Sequence, residues 1–284
     1  MDIDFSLQLP KILSGFSLLM LFPVILVIAN WFNERVSPYN IKDELMDRNN
    51  IALGVSFMAY NLAVTSVFIG AMLGPSVGLW EDLLIVGGYS LLGVALLYLA
   101  RVINNRLILY KFSNVKELID DRNFGTGVVQ AGSYLASGFI VAASLHGEGG
   151  GVVTAIAFFL LAQLMLVAYA FIYNWITSFD IHHEIEQDNA SAGLAVSGNL
   201  IALGIILMNA VGGNFISWEH NLMLFFRNTA LAFILLPVFR LLLDRVVFSH
   251  TDLSEKIVKD KNIPAGMLEF AVTISFSIVL YFMI

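Results

Sequence analysis

Residues 40–54 read NIKDELMDRNNIALG, and the pattern returns at 114–127 (NVKELIDDRNFGTG), 180–193 (DIHHEIEQDNASAG) and 252–266 (DLSEKIVKDKNIPAG). Each copy opens on Asn or Asp, carries an acid three or four positions on, places an Asn at the start of a long apolar run, and sets a Gly four residues later. An opening Asn or Asp followed by an acid such as Glu117 or Glu255 is capping-box-like chemistry, because these side chains tie up N–H groups that a first helical turn leaves unpaired. The pattern therefore predicts a helix that begins in each charged link and continues unbroken into the following apolar run.

Around these links lie eight apolar runs, at about residues 12–32, 51–73, 83–104, 124–145, 152–176, 190–212, 222–243 and 264–284. Each is long enough to cross a hydrocarbon layer, which takes about 20 residues of helix. Composition agrees: of 284 residues 58% are hydrophobic and 13% charged, and the mean hydropathy is +0.80. A soluble domain carries roughly 25% charged residues, so too few remain here to wet a globular surface. What the spans leave over is too short for a separate soluble domain. The absence of cysteine excludes a disulfide scaffold, and a net charge of −7 with no free basic stretch excludes a nucleic-acid binder. The acidic start MDIDFSLQLP lacks the basic n-region of a signal peptide, so the first run is expected to stay as a helix.

The connections alternate in kind. Those after spans 2, 4 and 6 (GPSVGLWED, HGEGGG, GGNFISWEHN) are glycine-rich and hold no Lys or Arg. The links after spans 1, 3, 5 and 7, with their flanking helix ends, hold 13 of the 15 basic residues and leave Lys11 and Arg227 for the other side. The positive-inside rule places these charged links in the cytoplasm and both termini outside. The third link, FDIHHEIEQDN, has no Lys or Arg and is a local exception.

Asn50, Asn123, Asn189 and Asn262 are spaced by 73, 66 and 73 residues, so a two-span unit occurs four times. A longer period of 139 relates Asn50 to Asn189, Asn123 to Asn262, Gly54 to Gly193, Gly127 to Gly266, Arg101 to Arg240 and Arg106 to Arg245. The expected fold is an all-α integral membrane protein. Its eight transmembrane helices would be built from four parallel two-helix repeats, a tandem duplication of a four-helix half with halves at 1–145 and 146–284. Parallel repeats are related by an axis along the membrane normal, which would set like ends of the even-numbered spans around a common axis.

These residues carry a resemblance. The capped acidic stretch running into Asn and a small residue, as in ELMDRNNIALG and ELIDDRNFGTG, resembles the YjfL-like bacterial inner-membrane family, a two-span domain of unknown function, here in four copies. The fourth copy departs from the pattern, with Lys261 and Pro264 flanking its Asn. The resemblance covers about residues 12–284 and implies a bacterial inner-membrane location. Relatives are often encoded near envelope-stress and polyamine-ligase genes. It supplies no catalytic residues.

Three sets of polar residues are candidates for function. Asn50, Asn123, Asn189 and Asn262, with Gly54, Gly127, Gly193 and Gly266 one turn on, could form a ring of amides at a cytoplasmic mouth; equally, each Asn could bond a neighbouring backbone while its Gly permits close packing. The link acids, from Asp43 to Asp260, could concentrate cations or simply cap helices and stay wet. His182 and His183 point about 100° apart on a helix and make a poor metal pair. The third set lies inside the spans, where an ionisable group is costly and is a site hypothesis by default. Glu269 has Gln130 as its 139-residue equivalent, and antiparallel hairpins would bring Arg240 to Glu269 and Arg101 to Gln130, with Asp244 a rival for Arg240. Glu269 could be a structural ion pair or a carboxylate that exchanges protons or binds a cation.

No nucleophile with a base, P-loop, GxGxxG or HExxH is present, so an enzyme is not expected, nor a cofactor or metal. Two readings stand: a small channel or transporter for a cation or polar solute near the repeat axis, and a non-transporting scaffold or sensor that presents its links to a cytoplasmic protein partner, in envelope stress on the family's gene company. The lipid bilayer is the partner common to both, and a homo-oligomer is compatible with either.

Overall fold

The computed structural model describes residues 5–177, 179–242 and 253–284, with side chains from residue 13 onward. All regular secondary structure among these residues is helical: α1 (Phe5–Val36), α2 (Ile41–Met46), α3 (Ile51–Met72), α4 (Leu79–Leu107), α5 (Phe124–Leu145), α6 (Val152–Ile176), α7 (Ile181–Glu186), α8 (Ala190–Val211), α9 (Trp218–Leu242), α10 (Leu253–Val258) and α11 (Ile263–Met283). A five-residue π-helical turn, Lys116–Asp120, stands between α4 and α5. Eight of the described helices are long and apolar enough to cross a membrane, and their bounds follow the eight apolar runs. Asp244 and Arg245, and the side chain of Lys11, lie outside what is described.

The unbroken link-to-span helix is not what forms. α2, the π-turn, α7 and α10 end before the spans begin, and the break is chemically the same each time. Asn49, Arg122, Asp188 and Lys261 adopt left-handed backbone, with φ of 50°, 51°, 51° and 45°. This conformation costs a residue with a Cβ roughly 1–2 kcal/mol. The following Asn then starts a new helix as its N-cap. Its side-chain oxygen accepts from the N–H of Leu53, Thr126, Ala192 or Ala265 at 3.0, 2.8, 3.1 and 3.2 Å. Its own N–H donates back to the carbonyl of Glu44, Glu117, Glu184 or Lys256 at 2.9, 2.8, 3.0 and 3.0 Å. Two hydrogen bonds at each corner offset the strained residue. The Asn expected inside a long helix is the corner itself.

The helices that follow these corners pack side by side: α3 on α5, α5 on α8, and α8 on α11. Lipid tails are as apolar as Leu, so close approach of backbones rather than expulsion of oil from water holds such contacts together. The glycines permit it. A Cβ on Gly127 would fall 2.3 Å from the Ala52 carbonyl oxygen, on Gly193 2.7 Å from that of Gly125, and on Gly266 2.3 Å from that of Ser191. Gly54 belongs to the first helix of the row, and a Cβ there would meet only Leu45, at 3.8 Å. α4, α6 and α9 flank the row, and α1 leans on α4 and α3.

The four helices form a curved row rather than a closed bundle about an axis, since α3 and α11 do not pack against each other as neighbours do. At their C-terminal ends all four line one cavity of about 570 Å³, through residues such as Ser66, Phe139, His146, Asn209 and Tyr281. At the Asn ends the row is closed by the glycine contacts.

Candidate functional site

Glu269 lies two turns into α11, about 10 Å from Asn262 along the helix. Its side chain is 0% exposed and that of Arg240, on α9, 7%. Arg240 Nε donates to Glu269 Oε1 at 2.9 Å. The same oxygen accepts from Tyr173 Oη on α6 at 2.9 Å and from Asn199 Nδ2 on α8 at 3.3 Å. The Arg240 guanidinium sits 5.2 Å from the Tyr173 ring centre, a cation–π contact, and its Nη2 reaches Ser254 Oγ at 3.4 Å. One carboxylate thus ties together four helices, α6, α8, α9 and α11. In a dry setting a pair of opposite charges is held only with such supporting bonds, because desolvation opposes it.

The bonding is lopsided. Glu269 Oε2 has no hydrogen-bond partner among the described residues, nor have Asn199 Oδ1 and Thr273 Oγ1, all three buried. Asn199 is bonded to Glu269, and Thr273 is one turn further along α11 on the same face. Each of these three oxygens has unused acceptor capacity.

The corresponding residues in the first half do not meet. Arg101 donates to Asn33 Oδ1 at 2.8 Å and Ser37 Oγ at 3.2 Å, at the end of α1, and Gln130 accepts from Ser56 Oγ on α3 at 2.8 Å. The expected Arg101–Gln130 contact is replaced by these bonds. An uncharged amide exerts little pull on a guanidinium, and α1 supplies oxygens within reach. Tyr39, in the link after α1, is part of this arrangement: burial pushes its phenol up, and Arg101 beside it opposes that.

A second buried polar cluster escaped the sequence reading. Asn104 on α4 donates to Ser133 Oγ at 2.6 Å and Ser137 Oγ at 3.1 Å on α5, and Gln163 on α6 donates to Asn104 Oδ1. An amide in the middle of an apolar run, as Gln163 is, was the available signal, since such groups bond across membrane helices. Asn199 carried the same signal; Tyr173 carried none.

Three of the four corner asparagines turn their amides onto carbonyls and carboxylates of the links and not to a mouth. Asn50 Nδ2 donates to Leu118 O at 2.8 Å and Glu44 Oε2 at 3.2 Å; Asn123 Nδ2 to Ile185 O at 2.7 Å and Glu117 Oε2 at 2.8 Å; Asn189 Nδ2 to Ile257 O at 2.9 Å and Glu184 Oε2 at 2.8 Å. Each amide ties its own corner to the next one along the row. Asn262 stands at the end of the row and is exposed. Three of the link acids are thus turned inward onto amides. Elsewhere on this face Asp180 pairs with Lys111; burial pushes its carboxyl up, but Lys111 and the His182 N–H outweigh that and hold it at about 2. His182 Nε2 lies 2.8 Å from Ile108 O with its ring 4.7 Å from that of Tyr110, a packed position. Among the described residues no group of three or more His, Cys, Asp or Glu is placed to hold a metal ion.

Comparison with known proteins agrees with a multi-pass membrane protein. A UPF0719 transmembrane protein of Aquifex aeolicus (strain VF5) is 23% identical over 235 residues, covering 80% of this chain and 84% of that one. No solved structure matches. The family model described as Domain of Unknown Function (DUF350) matches twice, over residues 6–145 and 149–284. Each match takes in four long helices, twice the two-span unit read from the sequence. Two successive matches cover nearly the whole chain, and the protein belongs to the DUF350 family.

Proposed function

We propose that the protein moves a small cation, protons included, across the membrane, and that Glu269 is the carboxylate that takes and releases it. The observation that supports this reading is the fully buried Glu269, with three donors on one oxygen and none among the described residues on the other. Buried polar atoms are ordinarily satisfied, and an ionisable group at this depth is costly to keep. A purely structural tie gains from satisfying both oxygens, whereas a buried Oε2 left open suits a proton or a small bare cation.

In this reading the chain comprises four parallel two-span units in a bacterial inner membrane, with the charged links cytoplasmic. The cavity of about 570 Å³ then opens on the outer side. Tyr281 at the cavity lies about 18 Å along α11 from Glu269, so the packed stretch between them is the barrier that must open during transport.

The test is flux in liposomes reconstituted with the purified protein, under an imposed pH gradient or cation gradient. The wild type should dissipate one of them faster than protein-free liposomes do, and Glu269→Gln should abolish the effect while eluting as a folded protein. If the wild type moves neither protons nor monovalent cations, the reading is wrong.

A further inference from the structure

The three joints along the row α3, α5, α8, α11 are built to one template. Counting from the corner Asn, the fourth residue of a helix (Gly127, Gly193, Gly266) meets the backbone of the second residue in the helix before it. The ninth residue meets the eighth of the helix after it: a Cβ on Gly132 would lie 2.4 Å from Ser197 Oγ, and one on Gly198 2.5 Å from Phe270 Cα. The fifteenth (Gly138, Gly204) meets the thirteenth of the helix before, Ala63 or Ala136, at 2.7 and 2.5 Å. The Asn amide closes each joint on a carbonyl of the next corner, Leu118, Ile185 or Ile257.

Both ends of the row leave this template half used. On α3 the positions that should receive a preceding helix are Gly54, Met58 and Thr65. Met58 is 56% exposed, and Ile51, Leu62, Ile69 and Met72 continue an exposed stripe along the same side. α1 does not cover it, since its contacts with α3 run through Asn30–Asn61, Ala29–Tyr60 and Phe22–Phe68. On α11 the positions that should receive a following helix are Pro264, Ala271 and Ser275, all exposed. The Asn262 amide donates to no carbonyl among the described residues, and the Leu45 carbonyl, at the position equivalent to Leu118 and Ile257, accepts from no side-chain amide among them.

We infer that the α3 edge of one chain receives the α11 edge of a second copy, head to tail, as a fourth joint of the same kind. The two surfaces differ and are complementary, so the contact is heterologous. Two copies inserted with the same orientation present these surfaces at the same depth. Met58 of one copy should then lie against Ala271 of the next, as Ser197 lies against Gly132, and the Asn262 amide should reach the Leu45 carbonyl. At about 100° per residue, the receiving and donating faces of each helix lie roughly 140° apart, so adding a copy continues the curve of the row without reversing it.

The natural chain has no cysteine, which makes disulfide trapping in native membranes unambiguous. Chains carrying Met58→Cys and Ala271→Cys singly, distinguished by tags and co-expressed, should form a mixed dimer on mild oxidation. Either variant expressed alone should give none, and Leu84→Cys, on an exposed face of α4, should give none with Ala271→Cys. Gly54→Leu, which fills the receiving groove without touching an internal joint, should cut the mixed-dimer yield at least severalfold without lowering the melting temperature of the detergent-solubilised chain. A symmetric dimer of Ala271→Cys with itself, or no Met58–Ala271 bond in the mixed sample, would overturn the inference.

Discussion

Arg240 and Glu269 are 29 residues apart in the chain and 2.9 Å apart across the contact of α9 with α11. Arg101 and Gln130 have the same separation and share no bond. The charge on Glu269 is the difference, and it makes the pair sensitive to the loss of one partner. Arg240→Met leaves a buried carboxylate uncompensated and is expected to cost about 3–5 kcal/mol, whereas Arg240→Met with Glu269→Met together should recover most of that loss. Thermal unfolding of the purified variants in one detergent measures both. Gln130→Glu should be destabilising as well, because Arg101 is already engaged by Asn33 and Ser37.

Much of this was legible in the sequence, and the reasons are specific. Eight spans follow from apolar length alone, because the bilayer sets one dimension for every helix. The recurrence of Asn with Gly four residues on marked the four corners, since a cap and a close approach each demand particular residue types. The break before each Asn was not legible, because left-handed backbone at Asn49, Arg122, Asp188 and Lys261 falls on residues that carry no glycine signature. The partners of Glu269 were half legible: Arg240 announced itself by charge, whereas Tyr173 and Asn199 are neutral residues brought in by the packing of α6 and α8. Whether the helices made a closed bundle or an open row depends on which two faces of each helix are used, and periodicity in the chain does not encode that.

The glycines should respond in a graded way. Gly127→Ala and Gly266→Ala place a methyl group 2.3 Å from a backbone oxygen, and Gly193→Ala 2.7 Å, so helices must separate in each case. Losses of about 1–3 kcal/mol are expected, in the range of overpacked cores. Gly54→Ala meets only Leu45 at 3.8 Å and should be neutral or gain about 0.5–1 kcal/mol from helix propensity. Melting temperatures of the four variants, compared in parallel, check the order.

The corner asparagines should be graded too. Asn123→Ala loses the cap on Thr126 and leaves both the Ile185 carbonyl and Glu117 without their amide. A cap alone is worth about 1 kcal/mol, and buried acceptors stripped of their donor add about 1–3 kcal/mol. Among the described residues the Asn262 side chain has only the cap on Ala265, so Asn262→Ala in the monomeric detergent-solubilised chain should cost no more than the cap. Equal losses at the two positions would mean that the ties between corners contribute nothing.

Glu117 gives a pH signature to the same corner. Burial pushes its carboxyl above the ordinary range, and the Asn123 amide only partly opposes this. The folded protein therefore holds this proton more tightly than the unfolded chain does. By linkage the contribution of Glu117 is most favourable below the unfolded carboxylate value of about 4.3, and it declines as the pH rises from there through the raised folded value. Asp180 has the opposite sign: held at about 2, it contributes above its ordinary value of 3.8 and loses that contribution only as the pH falls towards 2. Between pH 4.5 and 7, then, Glu117 changes the slope and Asp180 does not. Glu117→Gln keeps an acceptor for the Asn123 amide and removes the titration. The wild type minus Glu117→Gln difference in melting temperature should fall as the pH rises across that interval, because only the wild type acquires a buried charge. A difference that is flat with pH would show that Glu117 holds its charge there at no cost to folding.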